Sequence, residues 1–453
     1  MTAHEQPDAA REVAPTLAWW TVLVLMMLAL YTLADRPMLN LQVEPLRTEL
    51  GLSDFQIGLV QGVSVALFTA FFGYPIAWLA DRFDRRIVLA ASIAVWSTAL
   101  ALMGQARNFE ELFIASAFVG AGEAGLVPIS LAMIPELFRG AKRHLANSVM
   151  LLAGRLGAGI VVAVCGWLLV SVDVWRGSLP EALQGLPAWR LALFALALPG
   201  ALLVPLLLTL PRRSHHAEEA MRPGAPLAAV LPFLRAHRLA FASFYAGVAC
   251  MVFGVGCIMS FAPAVAMRQM AANPMQAGSA MGAAVFTATV IGFVIAQLGY
   301  RLFATRLGSN LPAKALLGAA ILSAAMAAVI VFARTPMQLF VGVGAFLTMV
   351  MAGTLLFPMA LQDMSPSPVR GRIIAIAIML NIVVGSLGPA VVGAISDRLK
   401  GQPDGLLLAM TGTAVVALVL SAGLLIPLLG RYEATVAGAR LHEARPDREQ
   451  PEG

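Results

Sequence analysis

Residues 77–86 read Ala77-Trp-Leu-Ala-Asp-Arg-Phe-Asp-Arg-Arg86, a charged hairpin between two long apolar stretches. A weaker copy, Gly292-Phe-Val-Ile-Ala-Gln-Leu-Gly-Tyr-Arg301, lies in the second half of the chain. Residues in and just before the hairpin match the copy at a constant offset of 219 positions. A short charged loop between apolar helices, repeated at half-chain distance, is typical of a membrane carrier with two parallel repeats.

The composition supports a membrane protein. The chain has 453 residues, of which 59% are hydrophobic and 12% charged, whereas soluble domains carry about 25% charged residues. Twelve apolar stretches are long enough to cross a bilayer, which takes about 17 to 25 residues. We therefore expect an all-α membrane protein with twelve transmembrane helices in two six-helix bundles related by a parallel pseudo-repeat.

Polar segments divide the chain. We expect residues 17–210 to form the first bundle and residues 239–430 the second, with a cytoplasmic linker at 211–238 that is rich in proline, arginine and histidine. The polar segments 1–16 and 431–453 are predicted to be disordered cytoplasmic tails. A second internal match supports the two halves, since Arg139-Gly140 and Leu156-Gly157 correspond to Arg370-Gly371 and Leu387-Gly388.

The distribution of basic residues indicates the orientation. Of 31 lysines and arginines, 21 lie in segments on the same side as the N-terminus and 8 on the opposite side. Because basic loops stay in the cytoplasm, both termini are predicted to be cytoplasmic, and in a bacterium the chain would lie in the inner membrane. The net charge of +6 thus reflects topology, and we expect no nucleic-acid partner.

Enzyme and cofactor signals are missing from the sequence. Cys165, Cys250 and Cys257 all lie in apolar stretches, which favours small buried side chains over a disulfide framework or a metal site. The apolar stretches hold no histidine, no nucleophile–base pattern and no phosphate-binding loop. We therefore expect no enzymatic activity, no cofactor, no metal and no ATP-driven pumping.

Four ionisable residues lie inside the apolar stretches, namely Asp35, Arg36, Glu123 and Arg155. Each costs about 2.5 to 3.5 kcal/mol on insertion scales, so such residues usually face a wet cavity or a partner. We predict that Asp35 and Glu123 carry protons and that Arg36, Glu123 and Arg155 form an ion-pair switch. The alternative is a permanent ion pair that only holds the helices together.

The second half lacks charges at the equivalent positions. Gly353 aligns with Glu123, and Ser386 aligns with Arg155. A cavity with one charged and one apolar side suits an amphipathic or lipid-like molecule, although ordinary helix packing explains each residue equally well. The predicted lining residues are Tyr31, Tyr245, Phe253, Met259, Ser260, Phe261, Thr354, Phe357 and Asn381.

Together these features resemble the major facilitator superfamily over essentially the full length. The hairpin at 77–86 is similar to the loop between helices two and three of that family, with Ala77 and Asp84 in two positions where the family usually has glycine. The resemblance implies a latch between the two bundles on the cytoplasmic face. A basic loop that only sets the topology would explain the last two arginines equally well. The predicted latch residues are Asp81, Arg82, Arg85 and Arg86.

Within this superfamily the chain resembles Spinster-like carriers. The similar segments are Ala34-Asp35-Arg36, Leu52-Ser53-Asp54 and Gly120-Ala-Gly-Glu-Ala124. The resemblance implies proton-linked movement of sphingolipids or lysophospholipids. It also assigns Asp35, Arg36 and Glu123 to the coupling and substrate site.

The expected function is secondary transport of a small amphipathic molecule by alternating access, with a proton as coupling ion. Sodium stays open, since carboxylates bind either ion. A proton-coupled exporter of drugs or organic anions is the first alternative, and a transport-inactive sensor or scaffold on the same fold is an alternative of another class. We expect a monomer.

Overall fold

The computed structural model describes residues 15–138, 140–211, 227–367 and 369–444. Within these residues the chain is helical without β-strands, and twelve helices are long and apolar enough to cross a membrane. The predicted fold class is thus confirmed. The spans TM1 to TM12 are Pro15–Leu41, Asp54–Arg82, Arg85–Gln105, Phe109–Pro135, Lys142–Ser178, Ala188–Leu208, Arg238–Met270, Pro274–Arg306, Leu311–Ile330, Pro336–Asp363, Arg370–Arg398 and Gly405–Leu429.

Consecutive spans alternate in direction, which defines two faces. We call the face that bears Pro15 and Leu429 the near face, and the opposite face, which bears the loops 42–53 and 399–404, the far face. A short helix, Val43–Leu50, lies on the far face. On the near face lie the linker helix, Leu227–Ala236, and the C-terminal helix, Tyr432–Ala444.

Each half packs its own six helices. In the first half TM3 packs on TM4 and TM6, and TM2 on TM4; in the second half TM7 packs on TM11 and TM12, and TM9 on TM10 and TM12. Small residues permit close approach, since a Cβ atom on Gly120 of TM4 would overlap the backbone of Val65 in TM2. This is the usual basis of helix association in a bilayer, where burial of apolar surface gives no driving force.

Three spans are interrupted in mid-course, each beside a proline. Proline lacks an N–H, and its ring displaces the carbonyl four residues earlier, so the preceding turn cannot continue regularly. The helix stops for two or three residues and resumes, which leaves polar backbone at membrane depth. The interruptions lie at residues 32–34 in TM1, 124–125 in TM4 and 355–356 in TM10, and the prolines are Pro37, Pro128 and Pro358.

The two bundles contact each other along the far half of the membrane. There TM2 packs on TM11, TM5 on TM8, and the end of TM1 on TM7. A Cβ atom on Gly62 of TM2 would overlap the carbonyl oxygen of Ser386 in TM11, whereas on Gly73, about three turns nearer the near face, it would meet nothing within 4 Å. The far side is therefore closed, and TM2 and TM11 separate toward the near face.

The C-terminal segment corrects one expectation. Residues 432–444 form a helix instead of a disordered tail, because Tyr432, Val436 and Ala439 make an apolar stripe that is buried against the second bundle. The Tyr432 hydroxyl donates to Asp363 Oδ2 over 3.2 Å. Burial and this neighbouring carboxylate raise the pKa of the Tyr432 phenol.

Part of the predicted linker, Leu227–Ala236, is also helical. The remaining tail and linker expectations concern segments outside the described residues, namely 1–14, 212–226 and 445–453. TM1 begins at Pro15, two residues before the predicted limit. The exact bundle limits 17–210 and 239–430 stay a prediction.

Candidate functional site

The interruption of TM1 gives two neighbouring charges opposite surroundings. Asp35 and Arg36 are the first residues of the second TM1 segment. Asp35 is 2% exposed, and its Oδ2 atom has no hydrogen-bond partner among the described residues. The Cys165 thiol donates to the Ala34 carbonyl over 3.5 Å beside it. By contrast, the Arg36 side chain is 50% exposed.

Arg36 faces Glu123 of TM4. Glu123 is the last residue before the TM4 interruption, and its Oε2 atom lies 3.7 Å from Arg36 Nη2. The Glu123 side chain is 27% exposed, so this ion pair, which joins the middle of TM4 to the far half of TM1, borders an accessible space. The distance is at the long end for an ion pair, which leaves the arginine room to move.

This space lies between the bundles. Asn40 follows Arg36 by one helical turn and therefore shares its face of TM1. The Asn40 side-chain N–H donates to the carbonyl of Met259 in TM7 over 3.2 Å. That face of TM1 is consequently turned toward the second bundle. The structure thus places Asp35, Arg36 and Glu123 close together, and their roles in coupling and substrate binding stay a prediction.

Arg155 lies apart from this group. Its side chain is exposed and forms no ion pair with a described residue. It precedes Gly159 by one turn on TM5, and a Cβ atom on Gly159 would lie 2.6 Å from the carbonyl oxygen of Gly282 in TM8. Arg155 therefore lies one turn nearer the near face than this crossing of TM5 and TM8. The predicted switch with Glu123 is not assembled in this conformation.

Tyr31 does not offer its hydroxyl to the central space, contrary to expectation. The hydroxyl donates to the carbonyl of Leu196 in TM6 and accepts from the N–H of Gly200 over 2.9 Å. Its ring packs edge-on against Trp96 of TM3 at 4.7 Å. Tyr31 is thus turned into its own bundle, because the side chain inserts into the TM6 hydrogen-bond ladder beside Pro199.

The predicted lining of the second half is partly corrected. Phe261 is 0% exposed and belongs to the hydrophobic core, and Ser260 is buried at the contact with TM2. Tyr245 donates its hydroxyl to the carbonyl of Ile373 in TM11 over 3.0 Å. The residues that remain partly exposed are Tyr245, Phe253, Met259, Thr354, Phe357 and Asn381.

Thr354 is the last residue before the TM10 interruption, as Glu123 is in TM4. By helix ends, Thr354 and not Gly353 is therefore the equivalent of Glu123. Either residue is uncharged. At this position the first half therefore has a carboxylate and the second half has none.

The charged hairpin between TM2 and TM3 is bound to its own bundle. Arg85 donates to the Ala132 carbonyl of TM4 over 3.1 Å. Arg86 pairs with Asp84 at 2.6 Å and donates to the Leu210 carbonyl after TM6 over 2.7 Å. Arg82 stacks over the Trp78 ring at 4.4 Å, and Asp81 is exposed. The latch between the bundles stays a prediction.

Sequence reasoning missed a charged contact at the far face. Arg268 at the end of TM7 donates to both carboxylate oxygens of Asp54 in TM2, over 2.8 and 2.9 Å. In the sequence, Asp54 belongs to a segment that carries the family resemblance, and Arg268 is one of the eight basic residues on the side opposite the N-terminus. The available signal was the position of Asp54 directly after the helix-capping Ser53, since a residue there lies at a span end.

A polar contact separates the central space from that far-face contact. Gln61 lies in a π-helical segment of TM2, Leu59–Ser64. Its side-chain N–H group donates to Asn40 Oδ1 over 3.1 Å and to the carbonyl of Ser260 in TM7 over 3.4 Å. A single π-turn frequently marks a functional position. TM1, TM2 and TM7 thus meet in a hydrogen-bonded cluster just beyond Arg36.

Two helical bundles that close around charged residues at membrane depth are the architecture of a membrane transporter. The sequence comparison agrees: residues 19–389 match the profile of the Major Facilitator Superfamily, and the chain belongs to this family. It is therefore a multi-pass membrane protein that transports small molecules, and not an enzyme.

Among its relatives is an MFS-type efflux pump of Mycolicibacterium smegmatis, 27% identical over 91% of both chains. Protein spinster homolog 3 and the sphingosine-1-phosphate transporter SPNS2, both of Danio rerio, are 30% and 34% identical, over 30% and 27% of this chain. These two matches span 28% and 23% of those proteins.

A solved structure agrees in fold. A bacterial homolog to the human lysosomal transporter Spinster, in an inward-facing and occupied conformation, superposes with a TM-score of 0.76. The match has 18% identity and covers 96% of this chain and 100% of the other. The predicted likeness to Spinster proteins is confirmed.

Proposed function

We propose that this protein is a proton-coupled secondary carrier of an amphipathic, lipid-like molecule. The observation that carries the proposal is the contact of Arg36 with Glu123 at 3.7 Å beside the buried Asp35. All three residues border interruptions of TM1 and TM4. Broken helices in the middle of the membrane are where secondary carriers hold substrate and coupling ion.

Asp35 and Arg36 have different roles in this proposal. Asp35 has a buried oxygen without a partner, so this atom is available to hold a proton. Arg36 is half exposed and loosely paired, so a negatively charged group of a substrate can approach it and compete with Glu123. Proton and substrate then act on the same arginine, which is a physical basis for coupling.

The substrate class follows from the two sides of the central space. The first half presents Arg36 and Glu123, and the second half presents Phe253 and Phe357 with few polar side chains. An amphipathic molecule would place its polar head at Arg36 and its chain along the second half. The name of the SPNS2 relative, a sphingosine-1-phosphate transporter, supports this class.

The orientation follows from the positive-inside rule. The near face carries most of the lysines and arginines, so we propose that it is cytoplasmic and that both termini lie there. The conformation closed at the far face then corresponds to an inward-open carrier, and the hairpin residues Asp81 to Arg86 would latch the bundles when the near face closes. We propose a monomer as the transporting unit.

The decisive experiment measures uptake into proteoliposomes with and without a pH gradient. Three labelled compounds are compared: a lysophospholipid, a cationic dye and an organic acid. Wild-type protein should move the lysophospholipid, and the gradient should accelerate it. Glu123→Gln and Asp35→Asn should abolish the acceleration, because neither amide can exchange a proton. Asp404→Asn serves as control, since this exposed aspartate pairs with Arg334 inside the second bundle.

Other outcomes decide between the alternatives. Gradient-driven movement of the dye or the organic acid alone would replace the lipid by a drug or organic anion, which the efflux pump among the relatives favours. Transport that depends on sodium at fixed pH would identify sodium, and not the proton, as the coupling ion. Binding without flux of any compound would favour the sensor or scaffold. Full gradient coupling in both carboxylate variants would refute the assigned coupling residues.

A further inference from the structure

A pocket opens on the membrane-facing surface, between the far ends of TM1, TM5, TM6 and TM8. Its cavity volume is about 410 Å³, within the range of about 300 to 1,000 Å³ that is typical of ligand sites. Apolar side chains form almost the whole lining, and a single carboxylate lies at the rim. The walls include Leu41, Leu169, Val170, Asp173, Trp189 and Pro274.

The pocket lies at the level of the far leaflet. Val174, which also lines it, is 79% exposed, and an exposed apolar residue of a membrane span faces acyl chains. Trp167 and Trp175 of TM5 are exposed as well and pack edge-on at 5.5 Å. Because tryptophan is enriched at the membrane–water interface, the outer rim of the pocket lies near the lipid headgroups. Leu169 lies one helical turn deeper than Asp173.

The floor of the pocket is fixed by contacts within the protein. Trp189 at the start of TM6 is 2% exposed, its indole N–H donates to Glu49, and Arg190 stacks over its ring at 4.4 Å. Gln42, after TM1, donates to the Trp189 carbonyl over 3.2 Å. The hollow is therefore preformed, so a ligand does not have to reorganise the protein in order to bind.

The rim carries one charge of each sign. Asp173 Oδ1 accepts from Arg176 Nη2 over 2.5 Å, whereas Asp173 Oδ2 accepts from no described residue. Arg176 also donates to the carbonyls of Gln184 and Leu186, which fixes its position. The Asp173 side chain is 57% exposed. This rim complements a zwitterionic headgroup, and the free carboxylate oxygen favours a headgroup that donates hydrogen bonds.

The pocket is complete only while the bundles are joined at the far face. Leu41 and Leu169 belong to the first bundle, and Pro274, the first residue of TM8, belongs to the second. A Cβ atom on Gly166 of TM5 would lie 2.8 Å from the Pro274 carbonyl oxygen. Separation of TM5 and TM8 at the far face would remove the Pro274 wall. A ligand in the pocket therefore binds the far-closed state better and shifts the equilibrium toward it.

We propose that this pocket binds one far-leaflet phospholipid, with a primary ammonium headgroup at Asp173 and an acyl chain along Leu169 and Trp189, and that this lipid stabilises the far-closed state. Phosphatidylethanolamine has such a headgroup. Phosphatidylcholine lacks the N–H donors, and phosphatidylglycerol lacks the positive charge. The proposal uses only membership in the transporter family, and not the transported substrate or the coupling ion.

Native mass spectrometry of the delipidated full-length protein tests the binding, with the three phospholipids titrated separately. The wild type should bind its first phosphatidylethanolamine about fivefold more tightly than either other lipid, the effect of one partly exposed, charge-assisted hydrogen bond. Asp173→Asn should remove this preference, because the headgroup loses its charged acceptor. Val170→Trp should lose the tightly bound lipid, because the indole occupies the cavity.

Two matched variants serve as controls. Val164 is 50% exposed on TM5 and does not line the pocket, so Val164→Trp adds the same bulk at a lipid-facing position elsewhere. Asp404→Asn removes an exposed far-face carboxylate that pairs with Arg334. Both controls should keep the wild-type preference for phosphatidylethanolamine.

Distances between spin labels at Thr48 and Gln402, two exposed residues of the far face, test the effect on conformation. The three native cysteines are replaced by serine, and double electron–electron resonance gives the populations of far-closed and far-open molecules. Nanodiscs of phosphatidylcholine are compared with nanodiscs that also contain phosphatidylethanolamine. The added lipid should raise the ratio of far-closed to far-open wild-type molecules by about threefold or more. Val170→Trp and Asp173→Asn should show no such rise.

Several results would overturn the proposal. One is equal affinity of the wild type for the three lipids, and another is a preference that survives in both Val170→Trp and Asp173→Asn. A preference that is lost equally in Val164→Trp or Asp404→Asn would show that the pocket is not its source. Binding without a rise in far-closed molecules would refute the stabilising role. None of these results touches the coupling proposal, since that is tested by flux through Asp35 and Glu123.

Discussion

Asp35 and Arg36 are neighbours in the sequence, yet Asp35 is 2% exposed and the Arg36 side chain is 50% exposed. The interruption of TM1 produces this difference, because the first turn of a new segment directs consecutive side chains about 100° apart. The aspartate is held away from the central space and the arginine enters it. The proposed proton site and the proposed substrate contact are thereby adjacent in the chain.

Tyr31 is predicted to be a structural residue. In Tyr31→Phe the ring should stay against Trp96, while the bridge between the Leu196 carbonyl and the Gly200 N–H is lost. We expect unfolding to become easier by about 1 to 2 kcal/mol, the typical effect of a lost hydrogen bond with an unsatisfied partner. Thermal denaturation measures this change, and flux should persist. Loss of flux at unchanged stability would contradict it and return Tyr31 to the transport path.

Individual residues were predictable where they violate an energetic rule. Asp35, Arg36 and Glu123 stood out because charges inside apolar stretches are costly. Tyr31 and Phe261 were wrongly assigned to the cavity. In a uniformly apolar helix, the sequence does not show whether an aromatic side chain faces the cavity or the core of its bundle. Asp54 and Arg268 were missed for the opposite reason: charges at span ends are common, and only the three-dimensional contact distinguishes them.

At the scale of helices, glycines set how closely the bundles approach. TM2 meets TM11 at Gly58 and Gly62, and TM5 meets TM8 at Gly159 and Gly166. All four would lack space for a Cβ atom. The far-closed state thus depends on glycine at the TM2–TM11 and TM5–TM8 crossings. A larger side chain at these positions should shift the equilibrium away from the far-closed state.

Gly62→Ala should favour the far-open state. The new methyl group would overlap the Ser386 carbonyl, so TM2 and TM11 must move apart. Spin labels at Thr48 and Gln402, two exposed residues of the far face, should report a longer distance by double electron–electron resonance. Gly73→Ala in the same helix is the matched control, since its methyl group meets nothing within 4 Å, and it should leave that distance unchanged. A wild-type distance in Gly62→Ala would mean that the crossing tolerates a methyl group without opening.

The C-terminal helix should contribute to the stability of the second bundle. Tyr432 is 0% exposed, and removal of a buried aromatic side chain typically costs about 3 to 5 kcal/mol. We expect Tyr432→Ala to lower the melting temperature markedly in thermal denaturation. Leu441→Ala in the same helix, at a position 68% exposed, should change it little. Equal effects of the two substitutions would indicate that the helix does not rest on the bundle through Tyr432.

For the whole molecule, the twelve spans and their pairing into two halves were readable from hydropathy and from the repeated hairpin. The prolines beside the interruptions of TM1, TM4 and TM10 were visible too. Other prolines inside the described spans lie in continuous helix, so the sequence did not show which prolines mark a break. The conformation could not be predicted at all, because both end states of a rocking carrier share one sequence. The C-terminal helix was missed because its apolar stripe is short.

The orientation of the molecule leads to a labelling prediction. Single cysteines at Thr48 and Gln402 should react with a membrane-impermeant maleimide in intact cells, because the far face is predicted to lie outside. Cysteines at His144 and Thr305 should react only after the membrane is permeabilised. The opposite pattern would invert the topology and turn the described conformation into an outward-open one.

The interruptions in TM4 and TM10 occupy equivalent places in the two halves, but Glu123 borders the first and Thr354 the second. The second half therefore has the same interruption without an acidic residue beside it. An interruption in each half would let both bundles deform during the proposed rocking motion, while the proposed coupling residues lie in the first half alone. Under this proposal, substitutions in the second half would change which substrate is preferred without disturbing the coupling residues of the first half.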